Sequence, residues 1–283
     1  MIRVVTDSTS DLPRDAAEQL GIQIVPLRVL FGDQTFLDGV EITADAFFTR
    51  LRTSTVLPTT SQPSPADFQR VFEEIVRAGD EIVCLTISSL LSGTYASATA
   101  AQAAMPDAPI TVIDSQTTSM AMGMVAEEAA RLALNGANRE QIATRIRQLL
   151  PLTRVYFAVD TLEYLHRGGR IGGAQAFLGT LLNVKPLLTL ANGRVDALER
   201  VRTKRKALDR MVEVAAQHTQ ETGHPYRVVV IHAQAADEAA YVAQLVTGKI
   251  NCAHLRQTQV GPVIGVHVGP GVVGIALMPV LPG

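Results

Sequence analysis

Thr86-Ile87-Ser88-Ser89-Leu90-Leu91-Ser92-Gly93-Thr94-Tyr95-Ala96-Ser97-Ala98 joins two runs of opposite character. The run before it, Glu81-Ile82-Val83-Cys84-Leu85, is short and apolar and reads as a buried parallel strand. The run after it, Ala96 to Ala104, is Ala-rich, free of breakers and strongly helix-forming. The turn between them therefore carries Ser92, Gly93 and Thr94 to a helix N-terminus, where unpaired backbone N–H groups and the helix dipole favour an anion. Gly93 admits close approach of a ligand to the backbone, and Ser92 and Thr94 add hydroxyl donors. Two readings stand at this point: a helix cap, or the binding turn of an anionic ligand.

Working outward, the same grammar recurs. Ile2 to Thr6 is an apolar run that ends in Asp7-Ser8-Thr9-Ser10-Asp11, at the strand edge where ligands bind in open α/β sheets. Asp11-Leu12-Pro13 predicts a helix with Asp11 as N-cap and Pro13 in the first turn. Ile22 to Leu30 and the turn Phe31–Phe36 predict a strand and hairpin, and Thr43 to Leu51 a short helix. In Pro58-Thr59-Thr60-Ser61-Gln62-Pro63-Ser64-Pro65, Ser64 is the expected N-cap and Pro65 the first helical residue. Phe68, Val71, Phe72, Ile75 and Val76 give that helix one apolar face. The hydroxyls of Thr60 and Ser61 are left without a local partner. Ile110 to Ile113 is a further buried strand, followed by a helix from Met120 to Asn135 and a capping box at Asn138-Arg139-Glu140-Gln141. Strand–turn–helix units of this kind predict a parallel sheet covered by helices.

The pattern changes at Pro151-Leu152-Thr153. The chain divides there into an N-terminal parallel-sheet α/β domain, residues 1–151, and a C-terminal mixed-sheet α/β domain, residues 152–283. The second unit reads as a strand over Arg154–Val159, a helical stretch from Thr161 to His166, and an apolar segment from Phe177 to Leu190. A hairpin at Gly193 leads into Val195–Val201, and an amphipathic helix covers Thr203–Thr219. Alternating strands and a helix follow, to Met278. Gly265-Val266-His267-Val268-Gly269-Pro270-Gly271 reads as a loop with one histidine among small residues.

Composition narrows the function. Of 283 residues, 47% are hydrophobic and 18% charged, which suffices for a large core; a net charge of −2 argues against binding nucleic acid through bulk electrostatics. The N-terminus starts directly as a strand with no signal peptide, and no apolar run approaches bilayer-spanning length, so a cytoplasmic protein is expected. Cys84 and Cys252 read as free thiols in that compartment. The absence of Trp disfavours an aromatic stacking platform. The six histidines have no metal-ligand spacing, and there is no P-loop. Arg167-Gly168-Gly169-Arg170 is either a phosphate clamp or a solvated basic loop, and His267 either a core histidine or a ligand-facing one.

Taken in order, these segments resemble one family. Val5–Pro13, Thr60–Ser64, Ile87–Tyr95, Val112–Ser115, Asp160–Ile171 and Gly265–Gly271 are similar in order and spacing to the DegV family over the whole chain. The resemblance implies a bacterial fatty-acid-binding protein with the acyl chain enclosed between or beneath two α/β domains. It implies no cofactor and no catalysis by this chain. Its partner would be a dihydroxyacetone-kinase-like fatty acid kinase, to which the bound acid is presented for acyl-phosphate formation and phospholipid metabolism. Membrane contact would be at most transient. Thr60 and Ser92 would bond the carboxylate of a long-chain fatty acid with His267 nearby, and His166, Arg170 and Arg202 would face the kinase. The physical chemistry agrees: Thr60, Ser61, Ser92, the Gly93 and Thr94 backbone N–H groups and His267 supply the donors a buried carboxylate needs. At ~0.8 kcal/mol per methylene, a 16-carbon tail contributes roughly 10 kcal/mol gross, so the tail sets strength and the head group orientation. Phe177 to Leu190 is expected to form part of the tail wall, and Arg170, after two glycines, is expected to project outward.

Two rival readings use the same residues. In the first, Ser92 is the nucleophile of a serine hydrolase with His267 as base and Asp7 as acid, although the G-x-S-x-G elbow is missing. In the second, Asp7 takes part in phosphotransfer, although Asp7-Ser8-Thr9 lacks the Asp-x-Asp pattern.

Overall fold

The computed structural model describes residues 1–178 and 184–282. Strand β1 (Ile2–Asp7) is buried from Val4 onward and ends in a single 3-10 turn, Ser8–Ser10. Asp11 does not cap the next helix, α1 (Arg14–Leu20), whose N-cap is Pro13. Asp11 instead closes the 3-10 turn in the left-handed region (φ 51°), which aims its carboxylate back into the protein. Next come β2 (Gln23–Val25), β3 (Arg28–Phe31) and β4 (Gln34–Leu37), the last two joined by the tight turn Gly32-Asp33. Helix α2 (Ala44–Thr53) is capped by Thr43, and β5 (Thr59–Ser61) pairs antiparallel with β3. Helix α3 (Pro65–Arg77) starts at the expected Ser64 cap, which forms a full capping box with Asp67.

Strand β6 (Glu81–Thr86), α4 (Thr94–Ala103), β7 (Ile110–Asp114), α5 (Ser119–Leu134) and α6 (Arg139–Leu149) complete the first half. Strands β2-β1-β6-β7 form an all-parallel sheet, as the strand–turn–helix grammar requires. The second half contains β8 (Arg154–Ala158), α7 (Glu163–Arg167), β9 (Lys185–Ala191), β10 (Arg194–Val201) and α8 (Lys204–Thr222). It ends with β11 (Tyr226–His232), α9 (Ala236–Lys249), β12 (Cys252–Gln259), α10 (Pro262–Val268) and β13 (Val273–Pro279). Its sheet is mixed, in the order β10-β9-β8-β13-β11-β12, with only β11 and β12 parallel. All strands of the parallel sheet precede Pro151 and all strands of the mixed sheet follow it, and we propose the unit boundary at 151/152, in the turn Leu150–Leu152.

Alternation along the strands builds the layers. In the first sheet Val5, Ile82 and Cys84 face α3 and α4, while Val4, Val83 and Leu85 face α5 and α6. In the second, Tyr156, Val228, Val230 and Ile275 face α8 and α9, while Val155, Phe157, Val229 and Ile231 join the same cluster as α5. Helix α5 thus lies between the sheets, in contact with β1 on one side and β13 on the other. That position explains its composition: from Ser119 to Glu127 every residue is buried, the signature of a helix covered all round. Glu127 and Glu128 in its later turns pair with Arg256 and Arg227 of the second sheet at 2.7 and 3.0 Å.

The stretch expected as a loop over Gly265–Gly271 is helical up to Val268. Pro262 opens α10, and the chain turns only at Gly269 and Gly271, both with positive φ. Gly265 serves packing: a Cβ there would approach the rings of Phe47 and Phe48 within 2.8 and 2.9 Å. Both cysteines are free, Cys84 buried and Cys252 half-buried. Among the described residues no helix is long and apolar enough to cross a membrane.

Candidate functional site

The hydroxyl-rich turn after β6 divides its labour. Ser88 donates to the Gly193 carbonyl at 2.7 Å, which ties the turn to the β9–β10 hairpin. Ser89 bonds Asp114 at the end of β7 through its N–H (3.1 Å) and hydroxyl (2.6 Å). These two serines are anchors. Ser92, held in place, lies 2.8 Å from the Thr94 hydroxyl, accepts the Thr94 N–H at 3.3 Å and turns towards an internal cavity.

Three more polar side chains meet it there from distant segments. Thr60 points inward from β5, and its hydroxyl lies 3.0 Å from His267 Nε2. His267 sits in the last turn of α10, where burial first and the Arg170 charge second push its pKa down to about 4, so the ring is neutral near pH 7. Its Nδ1 is buried without a hydrogen-bond partner among the described residues. Gly168 makes room for the ring, since a Cβ there would lie 2.3 Å from Nδ1. Arg170 donates through Nε to the Leu91 carbonyl at 2.9 Å and through Nη1 to Gly168 at 2.7 Å.

The cavity holds about 860 Å³ of space between atoms, part of it continuous with solvent. Apart from this polar group and Thr118 and Ser119, its walls are apolar, and the face of the mixed sheet forms one of them. Phe157, Gly274 and Ile231 are in register on adjacent strands, so the missing side chain of Gly274 leaves a trough between two large ones. A largely apolar enclosure with Thr60, Ser92, His267 and Arg170 gathered in one group, and the Thr118 and Ser119 hydroxyls already bonded to Thr9 and Asp11, suits an amphipathic ligand carrying an anionic head.

The structure separates the expected site residues. Thr60, Ser92 and His267 line the cavity. Ser61 does not: alternation in β5 turns Thr60 in and leaves Ser61 exposed on the opposite face. Gly93 and Thr94 are also outside the lining, because the Gln62 side chain covers Gly93 and the Thr94 N–H is taken by Ser92. Arg170 does not project outward as expected. The Leu91 and Gly168 carbonyls draw its guanidinium to the cavity wall, while His166 and Arg202 are exposed. Of the expected tail wall, Leu190 lines the cavity; Phe177 packs instead beneath Arg200, 4.6 Å from the guanidinium carbon to the ring centre, and residues 179–183 lie outside the described part.

The residues of the hydrolase reading are not joined. Asp7 is buried and accepts from Thr9 and from the Ile87 N–H (2.7 Å), Ser92 bonds Thr94, and His267 bonds Thr60. A nucleophile–base–acid relay needs those bonds between the three residues themselves. Asp7 belongs instead to a buried carboxyl group with Asp11 and Asp38, whose pKa values burial raises to about 6, 7 and 7. Asp11 accepts the Gly261 N–H at 2.8 Å and the Ser119 hydroxyl, and Asp38 takes the Ser8 hydroxyl at 2.7 Å and faces the Val263 N–H. Two carboxyls from the first half therefore hold the N-terminus of α10, the helix that carries His267. Asp38 escaped the sequence reading because nothing near it in the chain marks it as more than a turn residue.

Fold and site both have counterparts. A fatty-acid-binding DegV family protein from Thermus thermophilus superimposes with a TM-score of 0.94 at 40% identity, over 99% of each chain. A stearic-acid-binding protein from Eubacterium ventriosum gives 0.92 at 30% identity, over 99% of this chain and 98% of that one. Protein DegV of Bacillus subtilis is 36% identical over 275 residues, 97% of this chain and 98% of its own. The model of the DegV family, described as an uncharacterised protein family, matches residues 1–280. With that match running almost end to end, and with the arrangement of sheets and helices shared throughout, the chain belongs to the DegV family.

Proposed function

We propose that this protein binds one long-chain fatty acid in the cavity, with its carboxylate among Thr60, Ser92, His267 and Arg170 and its tail along the mixed sheet. The observation that carries this reading is the largely apolar cavity whose wall brings together the Thr60 and Ser92 hydroxyls, a neutral imidazole and a guanidinium, the Thr118 and Ser119 hydroxyls being bonded to Thr9 and Asp11. Hydroxyls and one fixed cation satisfy a carboxylate without burying further charge. Family members of known structure bind fatty acids, which supports the same ligand class here.

The polar group also borders an outer opening beside Leu57, Pro58 and Tyr164, which shares Thr60, Arg170 and His267 with the cavity. A carboxylate held there is within reach of a second protein. We therefore assign the chain the role of a carrier in the cytoplasm that offers the carboxylate to a dihydroxyacetone-kinase-like fatty acid kinase. In that step a carboxylate oxygen attacks the terminal phosphorus of ATP, an acyl phosphate forms and ADP leaves, with the catalytic groups on the kinase. The exposed His166 and Arg202 are the proposed contacts.

Native mass spectrometry of freshly purified protein, followed by solvent extraction, tests the ligand. The expected result is a bound fatty acid. Protein that yields no lipid and binds no added palmitate overturns the reading.

A further inference from the structure

The cavity shares walls with two outer spaces. One is the opening at its polar group. The other is a wide, solvent-open cleft of about 1700 Å³ lined by Leu150, Tyr156 and Leu198 together with Asp114, Arg147 and Arg154, and the two residues it shares with the cavity are Val155 and Leu190. Side chains that line two spaces at once form the wall between them.

The wall is set off from α7 and Arg170 along β8. Strand β8 runs from Arg154 to Ala158, and α7 and Arg170 follow its far end, so Val155 stands near the strand's opposite end. Tyr156 lies opposite Thr189 and Phe157 opposite Leu188; the same antiparallel register carried one residue further sets Leu190 opposite Val155. Directly opposed residues share a face of the sheet with Cβ atoms roughly 4.5–5.5 Å apart, close enough for two branched side chains to close a gap. The Thr189 hydroxyl, bonded to the Val155 carbonyl at 2.8 Å, holds the strands together beside that pair. Leu190 is also in register with Val195, which lines the cavity from β10.

We infer that Val155 and Leu190 form the end wall of the acyl cavity and set the longest chain the protein accepts, with the outer cleft as the space a longer chain enters once that wall is cut back. This inference rests on the fatty-acid reading above. A tail that ends short of the wall packs against it, whereas each further methylene must displace two branched side chains, Val155 buried and Leu190 half-buried.

The test uses the full-length, delipidated protein titrated with palmitate and with behenate, for the wild type, Val155→Ala, Leu190→Ala, the double variant and Leu190→Phe. The behenate-to-palmitate affinity ratio is expected to rise about tenfold or more in the double variant, whatever palmitate itself loses with the two side chains. Leu190→Phe, at a half-buried position, is expected to shift preference from palmitate towards myristate. Should the double variant fail to fold, the single variants and Leu190→Phe decide. Unchanged ratios in variants that still bind palmitate overturn the end wall and leave the fatty-acid reading intact. A wild type that binds neither acid overturns both.

Discussion

The Thr60 hydroxyl and His267 Nε2 lie 3.0 Å apart although 207 residues separate them in the chain. Thr60 comes from an edge strand of the small sheet β4-β3-β5 and His267 from the short helix before the last strand. The bond therefore closes the polar end of the cavity across the two halves, while burial and the Arg170 charge leave His267 neutral near pH 7, a donor or acceptor but not a counter-ion.

Ser92→Ala and Thr60→Val should each weaken fatty-acid binding about ten- to hundredfold, the loss of a hydrogen bond of about 1.5–3 kcal/mol to a desolvated carboxylate. Titration of the delipidated variants, with circular dichroism to confirm the fold, measures this. A change under about twofold would leave Ser92 with no role beyond its bond to Thr94.

Arg170→Ala should act on the pocket and not merely on a partner surface. Its charge is a cause of the lowered His267 pKa, so its removal should raise that pKa, which NMR titration of the ring reads directly. Fatty-acid affinity should fall in the same variant, and Arg170→Lys should keep part of the electrostatic effect while losing the forked hydrogen bonds to Leu91 and Gly168. An unmoved His267 pKa with unchanged affinity would return Arg170 to the surface role.

Gly265→Ala should destabilise the protein by about 1–3 kcal/mol, because the added methyl meets the rings of Phe47 and Phe48 in a filled core. Since α10 must shift to relieve that contact, palmitate affinity should fall as well. Urea unfolding and ligand titration on one preparation test the pair of effects.

Stability should also depend on pH through Asp11 and Asp38. Their folded pKa values are raised from 3.8 to about 7, so the native state holds protons that the unfolded chain releases. The contribution is fully present below pH about 4 and is lost as pH rises to about 7. His267 runs the other way: its value falls from 6.5 to about 4, so its contribution is present above pH 6.5 and lost as pH falls to about 4. Asp38→Asn removes one titrating carboxyl and leaves His267 in place, so urea midpoints from pH 4 to 8 should decline less with rising pH in the variant than in the wild type. Parallel curves would mean that Asp38 titrates alike in both states.

Much was already written in the sequence. Caps at Ser64 and Asn138, strands at Ile82–Leu85 and Ile110–Ile113, the helix after Gly93 and the order of the motifs all depend on neighbours within a few residues, where periodicity and capping chemistry act. They suffice for a parallel sheet followed by a mixed one, whereas Thr60, Ser92 and His267 were joined only by the family resemblance. Only the tertiary structure decided the rest. Ser61 faces out because β5 is a strand with alternating sides, and Asp11 leaves the helix it precedes because Gly261 and Ser119 reach its carboxylate from far along the chain. Arg170 turns inward because the Leu91 and Gly168 carbonyls receive it, and the trough at Gly274 exists because sheet register sets Phe157 and Ile231 on either side. A cavity is the space left between elements, and its shape follows from registers and crossings that no local pattern encodes.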